Sequence, residues 1–507
     1  MLHRLLNALI LLPDRCCYQV PEDLGLRASA ITFANALGQP LHGWWFAPCE
    51  PTAAGDDRPG AAPVIVFCPG TSGNLSSHLY YIELLCRAGC WVLGFDYTGF
   101  GRSAGQASLH TLVPDVLCAG DFLRREKGVR HFGIFGISLG ANLALQVASQ
   151  RPDIRAVAVE GLALYSEITR GVLEDGVMGP RSIRQVAYQE APLAPRRPHV
   201  LNTHLVCGWL ARGLARAGAA FFPFAGKDPR LPARQLSATP VFCIHGVDDP
   251  LLPFEATLQV YEVLPGVKQL WLIPAVGHAQ EAVLAQDGEY VAQLGAFFRM
   301  AFQERQPETL QSMTCRLVPH GADYYDVQLC NAGAPGMALV TVIGEQTLVS
   351  KTLWVETCAT FSVLIKGQPP SVHCLRLLDV HGKAMPEPDA STRRGQQYRA
   401  CFQPLIRALS RALHERRWHE IGTLVERLPD ERPESPFDFF LGIYCVQIVR
   451  LTRRKMPHVA RLAAQAFTRY WHYGPGSVAS EPSALQTLLA AELGQSEPLS
   501  VSRLGPS

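Results

Sequence analysis

Two stretches of the chain share one pattern, Gly-x-Ser-x-Gly: Gly101-Arg102-Ser103-Ala104-Gly105 and Gly136-Ile137-Ser138-Leu139-Gly140. A serine hydroxyl is a weak nucleophile at neutral pH. Chemistry at either site therefore needs a base to take its proton and an acid to orient that base. Context separates the two serines. Ser138 follows the apolar run His131-Phe132-Gly133-Ile134-Phe135 and precedes the helical run Ala141-Asn142-Leu143-Ala144-Leu145-Gln146-Val147. That is the strand–turn–helix of a nucleophile elbow, and its strained turn needs small neighbours, hence Gly136 and Gly140. The helix start beneath the serine lets the Leu139 N–H point at a developing oxyanion. Ser103 sits in a glycine-rich loop after Asp96 with no strand directly ahead, so hydrogen bonding within the loop is its expected role. A base and an acid follow in the order Ser…Asp…His. Two adjacent acids, Asp248 and Asp249, come after the apolar run Val241-Phe242-Cys243-Ile244, and His278 comes after Trp271-Leu272-Ile273.

These residues need a scaffold that brings them to one place. From about residue 30 to 305, short apolar runs alternate with helical stretches: Val64–Phe67, Trp91–Phe95, Phe132–Ile137, Ile154–Val159, Val241–Ile244 and Leu270–Ile273. Fully apolar runs separated by helices predict parallel strands covered on both faces. Ala28–Phe33 and Leu41–Phe46 flank Gly38-Gln39-Pro40 and predict a hairpin at one edge, and Ala285–Gln303, with Val291, Leu294, Phe297 and Phe298 on one face, predicts a closing helix. In such a sheet a serine, an acid and a histidine that each follow a strand reach the same edge.

Four segments in order resemble the α/β-hydrolase superfamily of serine hydrolases over about residues 20–305, nearest its lysophospholipase-like and small depalmitoylase-like members. Phe67-Cys68-Pro69-Gly70-Thr71 resembles the oxyanion loop, and Asp96-Tyr97-Thr98-Gly99-Phe100-Gly101-Arg102-Ser103 the family's Asp-x-x-Gly-x-Gly-x-Ser loop. The elbow and His245-Gly246-Val247-Asp248-Asp249-Pro250-Leu251-Leu252-Pro253 complete the set. The resemblance implies an α/β-hydrolase fold with a lid insertion at about 162–237, where Val172-Leu173, Trp209-Leu210 and Phe221-Phe222 would line an acyl pocket. It selects Asp249 through the Gly-x-x-Asp spacing from Gly246, and it adds the Thr71 N–H to that of Leu139 as an oxyanion donor. Pro69-Gly70 stands where the family often has His-Gly, a change that leaves the Thr71 amide available. The implied catalytic set is Ser138, Asp249 and His278, cleaving a carboxylic ester or thioester through an acyl-enzyme, with no cofactor and no metal. Acyl transfer from the same intermediate is the second reading, and a non-catalytic hydrolase-like binding protein the third.

The chain has 507 residues, 48% apolar and 18% charged, too long for one core, so two or three domains are expected. The hydrolase domain is assigned to 1–305. Residues 308–385 show short strands with no intervening helix (Leu339–Ile343, Phe361–Ile365), which predicts an antiparallel β-rich accessory domain, and 398–495 read as a helical C-terminal region. A net charge of +2, from 46 basic and 44 acidic residues, argues against a nucleic-acid partner. Glutamates interspersed among the C-terminal arginines predict a solvated face there. Fifteen cysteines without CxxC or zinc spacing predict a reducing, cytoplasmic setting. The apolar stretch Leu5–Leu12 is short for a span and predicts an N-terminal helix lying against the domain or a bilayer surface, an expected route to peripheral membrane contact. The expected partner is a small or lipid-like acyl substrate.

Overall fold

A computed structural model describes residues 11–49, 62–164, 228–302 and 313–377, with short breaks in the last two stretches, and six helical residues between Leu441 and Ala466. Most of the expected lid and nearly all of the C-terminal region, including the apolar lid residues named above, lie outside the described residues.

The first described element is a two-residue strand, β1 (Leu12–Pro13). The hairpin β2 (Ala28–Ala34) and β3 (Pro40–Phe46) follows, then β4 (Val64–Cys68) and the short β5 (Ser72–Gly73). Helix α1 (Leu79–Arg87), β6 (Trp91–Phe95), α2 (Leu109–Glu126), β7 (Phe132–Ile137), α3 (Leu139–Ala148) and β8 (Ile154–Glu160) come next. The domain closes through β9 (Val241–Gly246), α4 (Phe254–Val263), β10 (Lys268–Ile273) and α5 (Asp287–Phe302). Eight strands form one sheet in the order β10-β9-β8-β7-β4-β6-β3-β2. The hairpin is antiparallel and sits at one edge, β3 pairs antiparallel with β6, and the remaining pairs are parallel.

The central strands are apolar at nearly every position because both faces are covered. Val64, Val66 and Cys68 of β4 join the core that includes Leu112 and Val116 of α2 and Leu143 and Val147 of α3. The alternate residue Phe67 stacks on Tyr81 of α1, ring centroids 5.8 Å apart, and Phe135 of β7 lies 6.4 Å from Tyr290 of α5. Each such fully buried side chain contributes about 1.5–3 kcal/mol, so the central strands dominate the domain's stability. The path of the chain reverses at β4: it moves outward to β6, then returns past β4 to β7. Open α/β sheets bind ligands at such a switch point, beyond the carboxyl ends of the strands. Thr71 follows β4 and Ser138 follows β7, on the two sides of that point.

Past residue 312 the architecture changes to two antiparallel three-stranded sheets. One is β11 (Met313–Pro319), β12 (Tyr324–Asn331) and β15 (Cys358–Leu364), and the other is β13 (Gly336–Ile343), β14 (Leu348–Val355) and β16 (Ser371–Leu377). Val327, Leu329 and Val363 of the first sheet share one small core with Ala338, Val340, Val342 and Val355 of the second, which makes the pair a sandwich.

The N-terminal expectation needs correcting at its described end. Leu12–Pro13 is extended, not helical: Pro13 offers no N–H to continue a helix, and the Leu12 N–H is taken by Thr71 O at 2.9 Å. Leu11 is buried in the protein core, and residues 1–10 lie outside the described residues. Among the described residues no helix is long and apolar enough to cross a membrane.

Candidate active site

Ser138 occupies the turn between β7 and α3 with φ 53° and ψ −117°, a left-handed conformation that a residue with a side chain rarely adopts. The packing around the turn imposes it. A Cβ on Gly136 would lie 2.1 Å from Gly140 O, and one on Gly140 would lie 1.9 Å from Cys68 O, both backbone atoms that cannot yield. The turn also accepts no displacement toward β8, because the Ser138 N–H donates to Glu160 O at 2.7 Å. Leu139 is the first residue of α3, so its amide is among those a helix leaves without an internal acceptor. The β4–β5 loop packs on the elbow from the other side: a Cβ on Gly70 would lie 3.5 Å from Ser138 Cβ. Thr71 is the next residue.

His278 lies across the β8 end from Ser138. A Cβ on Gly161 would be 3.1 Å from His278 Cε1, a tight contact, and 3.9 Å from Ser138 N, so the imidazole and the serine flank the same strand end. Gly161 also has φ 65°. His278 Nδ1 sits 2.5 Å from Asp249 Oδ2. A carboxylate only accepts, so Nδ1 carries the proton and Nε2 the lone pair, the tautomer a general base requires. Asp249 is buried, and its Oδ1 accepts the Leu252 N–H at 2.9 Å. Burial alone would raise this carboxyl, but the charge of His278 and hydrogen bonds from His245 and His278 outweigh it and hold Asp249 well below the usual carboxylate range. The five sequence-derived site residues thus gather at the carboxyl ends of β4, β7, β9 and β10. Asp248, the rival acid, lies outside the described residues.

Three neighbours were not assigned roles from sequence. His245 is fully buried, with Nε2 3.0 Å from Leu252 O and 3.3 Å from Asp249 Oδ2, and Nδ1 2.7 Å from Thr257 Oγ1. Since Leu252 O only accepts, Nε2 bears the proton, and the ring braces the acid at Oδ2, the oxygen His278 also contacts. Glu160 ends β8, fully buried, and Oε2 accepts the Tyr290 hydroxyl at 2.5 Å. Burial pushes its carboxyl up to about 8, against the opposing pull of that hydrogen bond and of His278. His78 is buried behind the oxyanion loop, with Nδ1 donating to Asn74 O at 2.8 Å; burial brings it down to about 4, so the imidazole is neutral. A charged residue closing an apolar run was the signal for Glu160, and the histidine opening His-Gly-x-x-Asp the signal for His245. Ser103 has a different fate. It is fully buried, its hydroxyl donates to Asp96 O at 2.6 Å, and its Oγ accepts the His42 N–H at 2.9 Å. Among the described residues no group of His, Cys, Asp and Glu has the arrangement of a metal site.

Residues 65–294 match the family model described as the alpha/beta hydrolase family, and the domain they span belongs to the α/β-hydrolase superfamily. It is similar to the uncharacterized protein YfhR of Salmonella typhimurium, 30% identical over 182 residues that cover 32% of this chain and 60% of that protein. It is also similar to the alpha/beta hydrolase domain-containing protein aho-3 of Caenorhabditis elegans, 27% identical over 248 residues, 48% of this chain and 59% of that one. The chain thus spans about three fifths of the length of these relatives. Among solved structures, an esterase of Pyrococcus furiosus is 19% identical with a TM-score of 0.42, covering 58% of this chain and 98% of that one.

Proposed function

We propose that the protein is a serine hydrolase that cleaves a carboxylic ester or thioester through a covalent acyl-enzyme. Ser138 Oγ attacks the carbonyl carbon while His278 Nε2 takes its proton, and the amides of Thr71 and Leu139 stabilise the oxyanion. The tetrahedral intermediate collapses as the imidazolium returns the proton to the leaving alcohol or thiol. Water, deprotonated by the same nitrogen, then attacks the acyl group and releases the acid and Ser138. Asp249 keeps Nδ1–H toward itself and stabilises the imidazolium formed in each half. The single observation that carries this reading is the 2.5 Å contact from His278 Nδ1 to a buried, ionised Asp249, with His278 and the strained Ser138 both packed against the Gly161 strand end.

The test is labelling of the full chain with a fluorophosphonate, followed by peptide mapping. The adduct is expected on Ser138 and absent from Ser138→Ala. An adduct on Ser103, or no adduct, would remove the assignment. A panel of esters and thioesters of graded acyl length then gives the substrate class.

A further inference from the structure

Residues 11–18 run directly along the loop that carries the proposed oxyanion donor. β1 pairs in parallel with β5, Leu12 opposite Ser72 and Pro13 opposite Gly73. The Leu12 N–H donates to Thr71 O at 2.9 Å and the Asp14 N–H to Gly73 O at 3.2 Å. Asn74 Nδ2 donates to Asp14 Oδ1 at 2.9 Å and to Cys16 O at 2.6 Å, and the Tyr18 N–H donates to Ser76 Oγ at 2.9 Å. Asp14 is the knot of this contact. Only 6% exposed, it takes the Cys16 N–H on Oδ1 at 3.0 Å and the Tyr18 hydroxyl on Oδ2. Its own carbonyl accepts the Gly101 N–H at 2.8 Å, which ties the segment to the glycine-rich loop as well.

The oxyanion loop is held at its start by the Tyr97 hydroxyl, which donates to Pro69 O at 3.3 Å. Gly70 and Gly73 bring no side-chain packing, and Gly73 has φ 74°. The Thr71 N–H belongs to the 70–71 peptide plane and its carbonyl to the 71–72 plane, so two dihedrals alone separate them. Gripping Thr71 O on one side of the residue, with the elbow against Gly70 on the other, therefore fixes where the Thr71 N–H points. We infer that residues 11–18 form a positioning strap for the oxyanion loop, with Leu12, Asp14 and Tyr18 as positioning residues that hold the Thr71 amide in its transition-state orientation. The inference rests on the proposed role of Thr71. A loosened strap would leave substrate binding intact and weaken the amide's hold on the charge that develops in the transition state, a hold that demands tight geometry.

The experiment compares full-length Asp14→Ala, Leu12→Pro, Tyr18→Phe and Asp14→Asn for turnover of a small activated ester and for inhibition by a trifluoromethyl ketone, whose hemiketal oxyanion occupies the same hole. Asp14→Ala and Leu12→Pro should lower kcat about ten-fold or more with KM changed less than about two-fold. The ketone's Ki should rise by the factor by which kcat/KM falls. Tyr18→Phe deletes one hydroxyl from a packed ring and should give a smaller loss in the same direction, which keeps the test decisive if a harsher variant does not fold. Asp14→Asn should return near wild type, because its amide oxygen can take the Cys16 and Asn74 donors and its NH2 can reach the Tyr18 oxygen. Variants that lose thermal stability but keep wild-type kcat and Ki would overturn the strap alone. A wild-type chain with no turnover that depends on Ser138 would overturn the hydrolase reading and the strap with it.

Discussion

Gly101–Gly105 and Gly136–Gly140 carry the same five-residue pattern to opposite ends. In the first, Ser103 is sealed inside its loop, with its hydroxyl bridging Asp96 O and the His42 N–H. In the second, Ser138 stands half-buried at the sheet edge, held in a left-handed turn by backbone packed on backbone. The glycines serve different ends as well. Gly101 makes room for the Asp96 carboxylate, whose Oδ2 would lie 2.1 Å from a Cβ there, whereas Gly136 and Gly140 make room for main chain. The pentad therefore specifies tight turning and no more. A strand entering and a helix leaving turn it into a site where a hydroxyl can face a base.

The sharpest way to break that comparison is to exchange the losses. Ser138→Ala should lower turnover of an activated ester by roughly 10³ or more. Ser103→Ala should leave turnover near wild type and cost about 1–3 kcal/mol in urea unfolding, because the part-buried His42 N–H and the Asp96 carbonyl lose a partner. Comparable activity losses in the two variants would erase the distinction.

A somewhat smaller loss is expected at the acid. Asp249→Asn should reduce kcat by about 10² or more, since only a carboxylate holds Nδ1–H and stabilises the imidazolium, while Asp248→Asn should stay within about two-fold. Equal losses in the two would mean that the acids share the role.

The glycines give a stability version of the same comparison. Gly140→Ala drives a methyl into Cys68 O and should prevent native folding or lower Tm steeply, while Gly105→Ala meets side-chain atoms, Gln39 Oε1 and the Cγ2 of buried Thr98 each at 2.7 Å, and should cost somewhat more than the roughly 1–2 kcal/mol of its φ of 86° alone. Thermal denaturation of the two variants side by side would show it; a milder effect at Gly140 would mean that the elbow can relax.

The smallest effect is expected beside the elbow, at Glu160. Its carboxyl is held at about 8 against an ordinary 4.5. Between those values the folded chain keeps a proton that the unfolded chain has released, so this group's stabilisation is complete below about 4.5 and is lost as pH rises to about 8. Glu160→Gln has no proton to lose. Its Tm relative to wild type should therefore climb between about pH 5 and 8 and level off above. A constant difference would show that Glu160 is ionised in the folded protein.

Much of this arrangement was legible in the chain itself. Apolar runs such as Val64–Phe67 and Phe132–Ile137 need burial on both faces, which is a property of composition and period; glycines at 136 and 140 announce a turn with no room for side chains; and Ser138, the acid pair and His278 each follow a strand. The remainder was beyond any local pattern. The strand Met313–Pro319 mixes inward Leu317 with exposed Thr314 and Arg316, and it and Ser371–Leu377 become strands through pairing with Tyr324–Asn331 and Gly336–Ile343. Leu12–Pro13 becomes a strand only because the Thr71–Gly73 backbone, some sixty residues on, offers acceptors to it. Glu160 and His245 look from sequence like the ends of two strands; the order β10-β9-β8-β7-β4 sets them beside the acid, the imidazole and the elbow. Periodicity records how each segment meets its own neighbours along the chain. Which strand ends share an edge is decided by sheet order and register, and those exist only once distant segments have paired.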